Sequence, residues 1–435
     1  MNKNLRDLSS KSIYQLFVRN HSAEGTFKAV EEDLDRIKNM GFDMIDLLPV
    51  QPVGKARHQG KLGSPYAIKD YMSINNDYGT LEEFKHLVDE IHDKDLKVIM
   101  DIALDSTSRD SVYYKEHPEY FMTDAQGKCC SRNPEDKDIF DLDYANEELW
   151  AKQIAMMNYW ADLGIDGYRV HHAALLPINF FKEVRKEIAK NHKKFVWIAE
   201  NETAQDVNRL KHLGYEVLND SELYKAFDVV EGNETFKIAQ KVIGKEYPLN
   251  FFKEIYGLEL AEYAADKLKV RRLENFESDR LGKLIEDEAI LKNWLAYSFF
   301  AKGLASVCEG QEFGANEAES IINKSVVELK EHAKDYSEFI AALNRIRKED
   351  FFKNHLSYTL HGDDHNLLCA EYRYLDGDTM KAVVGVFNVG GEETWIDAPI
   401  KNGFYNNKID KEIIVVTNGQ FHVRTDAFIV EGICK

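Results

Sequence analysis

Asp101, His171, Glu200 and Glu277 are the groups in this sequence whose types and setting allow them to do chemistry together. Asp101 lies in the apolar run Leu96–Ile102. His171 follows Ile165–Val170, Glu200 follows Phe195–Ala199, and Glu277 comes shortly after Leu268–Leu273. Apolar, β-capable runs that end in polar clusters are what barrel strands look like at their C-terminal ends, where such folds place their active sites. Several carboxylates and an imidazole projected into one mouth offer acid–base chemistry or a seat for a divalent ion.

The elements that must position these groups alternate along the chain. Strands are predicted at Ile13–Val18, Phe42–Leu48, Leu96–Ile102, Ile165–Val170, Phe195–Ala199, near Tyr215–Leu218, at Leu268–Leu273 and at Leu304–Val307. Helical spacing appears between them, from about Phe27 to Met40, Leu81 to Lys94, Asn146 to Leu163, Ile178 to Lys190, within Ser221–Ala265, and from Glu288 to Lys302. Thr80 and Glu83 offer a capping box to the second of these. A last helix is predicted over about His332 to Lys348.

This alternation predicts parallel strands with helices outside, as a closed barrel or an open doubly wound sheet. No Gly-x-Gly-x-x-Gly run follows the first strand, which weakens the dinucleotide-binding sheet. Residues from about Asp105 to Asp143 lack periodicity and read as an insertion, and from Ser357 the pattern changes to short β-rich runs split by Gly and Asp turns.

The chain has 435 residues and a formal net charge of −19. Such an acidic balance argues against a nucleic-acid or anionic-membrane partner and leaves neutral ligands such as sugars open. Five cysteines, two of them the adjacent Cys129 and Cys130, make no plausible disulfide framework in a chain this long. No run approaches the ~18 apolar residues of a membrane span, and the first residues lack the apolar core of a signal peptide. A cytoplasmic location is the expectation.

Four stretches resemble, in order, the motif regions of the α-amylase family, glycoside hydrolase family 13: Asp101–Ser106, Gly167–His171, Trp197–Glu200 and Glu274–Glu277 with Arg280 behind it. Gly63–Tyr71 is similar to the family's loop whose Tyr stacks on the sugar, and Gly303–Glu312 to its eighth-strand segment. The resemblance implies a (β/α)8 TIM barrel over 1–104 and 144–350, a short insertion after strand three over 105–143, and a C-terminal antiparallel β-sandwich domain over 357–435. It implies Glu200 as general acid/base, Glu277 at the third carboxylate, and Tyr66, Asp101, Arg169 and Asn275 as substrate-binding groups. The ligand implied is an α-glucan or malto-oligosaccharide, with no required cofactor, although Asp105 and Asp166 could take calcium.

The departures from the family pattern bear on chemistry. His171 stands where the family has its attacking Asp, Glu277 is one methylene longer than the usual Asp, and Ser106 and Phe276 replace two sugar-gripping histidines. Phe276 alone could close the pocket. A retaining glycosidase needs a carboxylate nucleophile and a second carboxyl group about 5–5.5 Å apart, so efficient retaining hydrolysis is not expected. His171 is then a residual side chain, a general base for an inverting reaction, or a metal ligand with Asp101, Glu200 and Glu277. An active hydrolase using Glu200 with Glu277 or His171 is the enzyme alternative, and a metal-dependent activity a third. Tyr168 is expected to pack, and His172 to be a neighbour of the site. Oligomeric state is open.

Overall fold

The computed structural model describes residues 3–263, 267–326, 334–362 and 366–435. Eight parallel strands close into a barrel: β1 (Ser12–Leu16), β2 (Met44–Leu47), β3 (Lys97–Ala103) and, after an insertion carrying the antiparallel pair β4 (Ser106–Ser108) and β5 (Ile139–Asp141), β6 (Gly167–His171), β7 (Val196–Ala199), β8 (Val229–Glu231), β9 (Leu268–Arg271) and β10 (Leu304–Cys308). Closure is made by β10 against β1, with Ser12 opposite Ala305.

Strand periodicity decides what fills the barrel. Ile13, Met44, Ile99, Val196, Ile198, Val229, Leu268, Val270 and Leu304 form one apolar cluster inside it. Their neighbours of opposite parity, such as Tyr14, Ile45, Met100, Tyr168 and Trp197, belong to the larger core shared with the helices. Two residues on from the apolar plug, the same inward parity delivers Gln15, Asp46, Asp101, Glu200, Glu231 and Arg272. Arg169 joins that layer from Gly167, where a Cβ would lie 2.5 Å from the Val196 carbonyl oxygen and 2.7 Å from Ile99. A polar layer thus sits on an apolar floor at the strands' C-terminal ends, because every strand changes composition at the same height.

The helices follow their sequence signals. Phe27–Asn39 buries Phe27, Val30, Leu34 and Ile37 and starts at Thr26, whose hydroxyl accepts from the Ala29 amide. Leu81–Asp93 buries Phe84, Leu87, Val88 and Ile91 and carries the Thr80–Glu83 capping box. The predicted last helix is seen as Ser337–Arg347; residues 332–333 of that prediction lie outside those described, as do 264–265 of the earlier helical stretch.

The sixth strand differs from its predicted place. Tyr215–Leu218 forms no strand; Val217 is buried, and the Leu218 amide donates to the Ala174 carbonyl at 2.8 Å, a loop packed against loop. Val229–Glu231 takes the barrel position between β7 and β9 instead. A three-residue strand is too short to leave a period in the sequence, whereas the apolar Tyr215–Leu218 mimics one.

The C-terminal domain is two antiparallel sheets. One has the order β11 (Ser357–Leu360), β12 (Leu368–Asp376), β13 (Thr379–Phe387), β18 (Phe428–Ile433); the other has β14 (Thr394–Asp397), β17 (Gln420–Val423), β16 (Ile413–Thr417), β15 (Gly403–Asn406). Leu367, Val384, Val386, Ile396, Phe421 and Val430 fill the space between them. The first sheet's outer face, through Tyr372 and Phe387, packs on Phe300 of the helix Glu288–Phe300 at ring-centroid distances of 5.3 and 5.7 Å. Among the described residues, no helix is long and apolar enough to cross a membrane.

Candidate active site at the barrel mouth

Arg169 is the hub of the polar layer. It points inward from β6 opposite Asp101 of β3. Its guanidinium donates to Asp101 through Nη1 at 2.5 Å, to Glu200 through Nη2 at 3.0 Å and to Glu231 through Nε at 2.6 Å. A planar fork with fixed donors suits three carboxylates arriving from three strands. Arg272 adds a second cation, reaching Glu231 at 2.5 Å and Asn233 Oδ1 at 2.6 Å. The Tyr66 hydroxyl donates to Asp101 at 2.9 Å. Below them, burial and the Asp101 charge push Asp46 up to about 8, against the pull of Arg169.

His171 and Glu200 are in direct contact, with Nδ1 2.6 Å from Oε2. That approach lacks hydrogen-bond alignment, so Nδ1 is left without such a partner. The Tyr66 ring lies flat on the His171 imidazole, centroids 4.0 Å apart and planes 14° from parallel. The face implied as a sugar platform is therefore covered by a side chain of this protein. Burial by itself would raise the Glu200 carboxyl, but Arg169, His171 and His172 hold it well below the usual carboxylate range. Glu200 is thereby ionised near neutrality, the form that accepts a proton and cannot donate one.

His172 has a left-handed backbone, φ 47°, uncommon for a residue with a side chain. Successive strand residues normally face opposite ways; this turn brings both imidazoles to one side, with centroids 4.0 Å apart. The His172 amide donates to Glu200 Oε2 at 3.1 Å and its Nδ1 contacts Glu202 Oε1 at 2.5 Å. Burial opposes the charged imidazolium, but Glu202, Asp105 and Glu200 prevail and push His172 up to about 10. His171, His172 and Glu200 each offer a ligand atom within 4.8 Å of the others, a group able to hold a metal ion. Asp101, expected in that set, is instead engaged by Arg169 and Tyr66.

Two cavities meet over these groups, sharing His171, His172, Glu202 and Glu277. One of about 230 Å³ runs toward the insertion, past Tyr66, Asp105, Arg132 and Asp136. The other, about 470 Å³, is walled by Glu200, Asn233, Phe236, Lys237, Arg272 and Asn275. Its volume falls in the range of small-molecule sites, ~300–1,000 Å³. Glu277 is exposed and its amide donates to Asn275 Oδ1 at 3.0 Å. Phe276 turns away from both cavities, is 5% exposed and meets Phe17 edge-on at 6.2 Å, so it does not close the pocket. Tyr168 packs as expected, buried with its hydroxyl on the Met157 carbonyl at 2.8 Å. Asp166 and Asp105 lie at opposite ends of the barrel, and Asp166 is satisfied by His92, Lys97 and the Val98 amide.

The loop bearing Asn275 and Glu277 is held from behind. Glu274 accepts from the Leu281 amide at 2.6 Å, and the fully buried Arg280 reaches the Glu309 carbonyl at 2.5 Å with Glu319 at 3.8 Å. Burial pushes Glu319 up to about 9, Glu309 adding to the rise and Arg280 opposing it. The folded chain then keeps a proton that the unfolded chain releases near its ordinary value of about 4.3, so stability falls as pH rises from there toward 9, by up to ~1.4 kcal/mol per unit. Between pH 6 and 8, Glu319→Gln is expected to remove ~2–3 kcal/mol of the fall in urea-unfolding free energy. Parallel falls in the two proteins would contradict this.

Sequence reasoning missed Glu231, Arg272, Asn233 and Glu202. Arg272 was within reach, since Leu268, Val270 and Arg272 share parity. Glu231 sits on the strand too short to recognise, and Glu202 acts through a backbone turn that no spacing announces.

Residues 13–140 and 133–356 match the family described as alpha amylase, catalytic domain, and residues 359–430 the bacterial alpha amylase C-terminal domain. An alpha-amylase structure from Lactobacillus plantarum is 32% identical, covering 98% of this chain and 99% of that one, with a TM-score of 0.92. A noncanonic maltogenic alpha-amylase structure from Thermotoga neapolitana is 27% identical, covering 99% and 100%, with a TM-score of 0.87. Among curated proteins, an alpha-1,4-glucan:maltose-1-phosphate maltosyltransferase from Picrophilus torridus is 26% identical over 415 residues, 90% of this chain and 63% of that protein. The enzyme of that name from Methylacidiphilum infernorum is 32% identical over 213 residues, 43% of this chain and 32% of that protein. The chain thus spans less than two thirds of the length of these curated relatives.

Proposed function

This chain belongs to the α-amylase family, and from that premise we propose that it binds α-1,4-glucans or malto-oligosaccharides at its barrel mouth without carrying out efficient retaining hydrolysis. The observation that carries this reading is the 2.6 Å contact between His171 and Glu200. A retaining reaction needs the two groups about 5–5.5 Å apart with an anomeric carbon between them, and an inverting one about 6.5–9.5 Å with a water. Neither fits between atoms already touching.

Loss of a sugar at that point leaves the outer cavity. Asn275, Glu277 and Lys237 line it with donors and acceptors suited to hydroxyl groups. The segment 105–143 supplies the opposite wall, through Asp136 and Asp138 of the smaller cavity. The names of the curated relatives, which speak of 1,4-glucan and maltosyl groups, support an α-1,4-linked ligand. Both Glu200 and Glu277 line the larger cavity, and that favours, as a second reading, a hydrolase using these two carboxylates.

The test is calorimetric titration of the full chain with maltoheptaose, with reducing ends assayed in the same sample. Expected is saturable heat with a Kd on the order of 10⁻⁴–10⁻³ M, about −4 to −5.5 kcal/mol, and no product above background. Product that disappears in Glu200→Gln would favour the second reading. Absence of saturable heat would refute glucan binding.

A further inference from the structure

We propose that His171, His172 and Glu200 form a binding site for a transition-metal dication of the zinc class, oriented by Glu202. The two imidazoles converge because His172, in its left-handed conformation, follows directly on the end of β6. A strained residue with a side chain persists only where its surroundings fix it, and such positions gather at functional sites. Here the amide of that residue is tied to Glu200 and its ring to Glu202.

The second observation is the bond of His172 to Glu202. A metal-binding His commonly gives its other ring nitrogen to a carboxylate, which fixes the ring and its tautomer. With Nδ1 engaged by Glu202 Oε1 at 2.5 Å, Nε2 is the nitrogen left to ligate an ion. Glu200 is held similarly: Arg169 occupies Oε1, while Oε2 accepts the His172 amide and faces His171. The His171 Nδ1, close to that oxygen but outside hydrogen-bond alignment, gains a partner when an ion takes the shared position.

The donor set selects the metal. Calcium takes six to eight oxygen ligands, and two imidazoles with one carboxylate do not supply them. Zinc takes nitrogen and carboxylate donors, and three protein ligands with one open position is a common zinc arrangement. The open side here gives onto the larger cavity, past Asn275 and Glu277.

The site does not depend on glucan binding, and the two are tested separately. A tag-free, chelator-treated full chain is titrated with ZnCl₂ by calorimetry and, in parallel, with CoCl₂ while its visible spectrum is recorded. Expected are one Zn²⁺ per chain with a Kd at or below about 10⁻⁶ M and intense low-coordinate Co²⁺ bands that Zn²⁺ abolishes. His172→Ala is expected to weaken binding at least 100-fold, and Glu202→Gln 10–100-fold. The cobalt spectrum of the unmodified chain needs no variant to fold. Only the weak bands of hydrated Co²⁺, or Zn²⁺ binding unchanged in His172→Ala, would overturn the proposal. Zinc bound with no heat from maltoheptaose would count against the glucan reading alone; maltoheptaose bound with no zinc would count against the metal site alone.

Discussion

The double variant His171→Asp, Glu277→Asp is expected to release reducing ends from maltoheptaose at least ~100-fold faster than the unmodified chain, with the α-anomer as first product. Removing a covalent nucleophile from a hydrolase costs on the order of 10⁶ in rate, roughly 8 kcal/mol, so restoring one regains a part of that when its supports are present. Those supports stand: Arg169 still reaches Asp101 and Glu200, and the Tyr66 hydroxyl still bonds Asp101. Replacing the imidazole with a shorter carboxylate separates position 171 from Glu200 and uncovers the Tyr66 ring now stacked on His171. It also removes the imidazole that helps keep Glu200 ionised. The matching change at 277 is included because displacements of ~1 Å cost ~100-fold. Product quantified by reducing-end assay, and its anomer by NMR within the first turnovers, checks both parts. A rate no higher than that of the unmodified chain would contradict the reading of position 171 as the point where retaining hydrolysis fails.

Arg169→Met is expected to lower the unfolding free energy by ~3–5 kcal/mol. The reason is electrostatic: Asp101, Glu200 and Glu231 share this guanidinium at 2.5–3.0 Å, and Asp101 and Glu231 are almost wholly buried. Taking one member from a buried charge cluster leaves its partners uncompensated, which costs more than the intact cluster contributes. Arg272 relieves only Glu231. Arg169→Lys is expected to recover less than half, since an ammonium on a flexible stem cannot present three donors in a plane. Urea unfolding followed by tryptophan fluorescence checks it; a loss below ~1 kcal/mol would contradict the hub role.

Much of the barrel was legible because its strands are apolar runs that turn polar at one height, and that same turn marks Asp101, His171 and Glu200. The resemblance of four ordered stretches then implied which groups meet. What stayed hidden is of two kinds. The strand Val229–Glu231 is too short for a period, and its Glu231, a principal partner of Arg169 and Arg272, went unseen with it. The pairing of Tyr66 with His171, the turn at His172 and its anchor on Glu202 are properties of how loops settle over the mouth. Residue identities constrain these contacts only after the backbone is known. Phe276 teaches the same lesson in reverse: by type it threatens the pocket, but by placement it belongs to the core.

Whether any group at position 171 attacks the anomeric carbon or activates water there is read out by α-maltosyl fluoride. Fluoride leaves without help from an acid, so its release reports on the attacking side of the reaction alone. Fluoride release by the unmodified chain is expected to be no faster than by the Glu200→Gln variant or in buffer alone. Saturable release by the unmodified chain, well above buffer and abolished in His171→Ala, would show that His171 takes part in catalysis and would overturn the reading of a mouth that binds glucan without retaining hydrolysis.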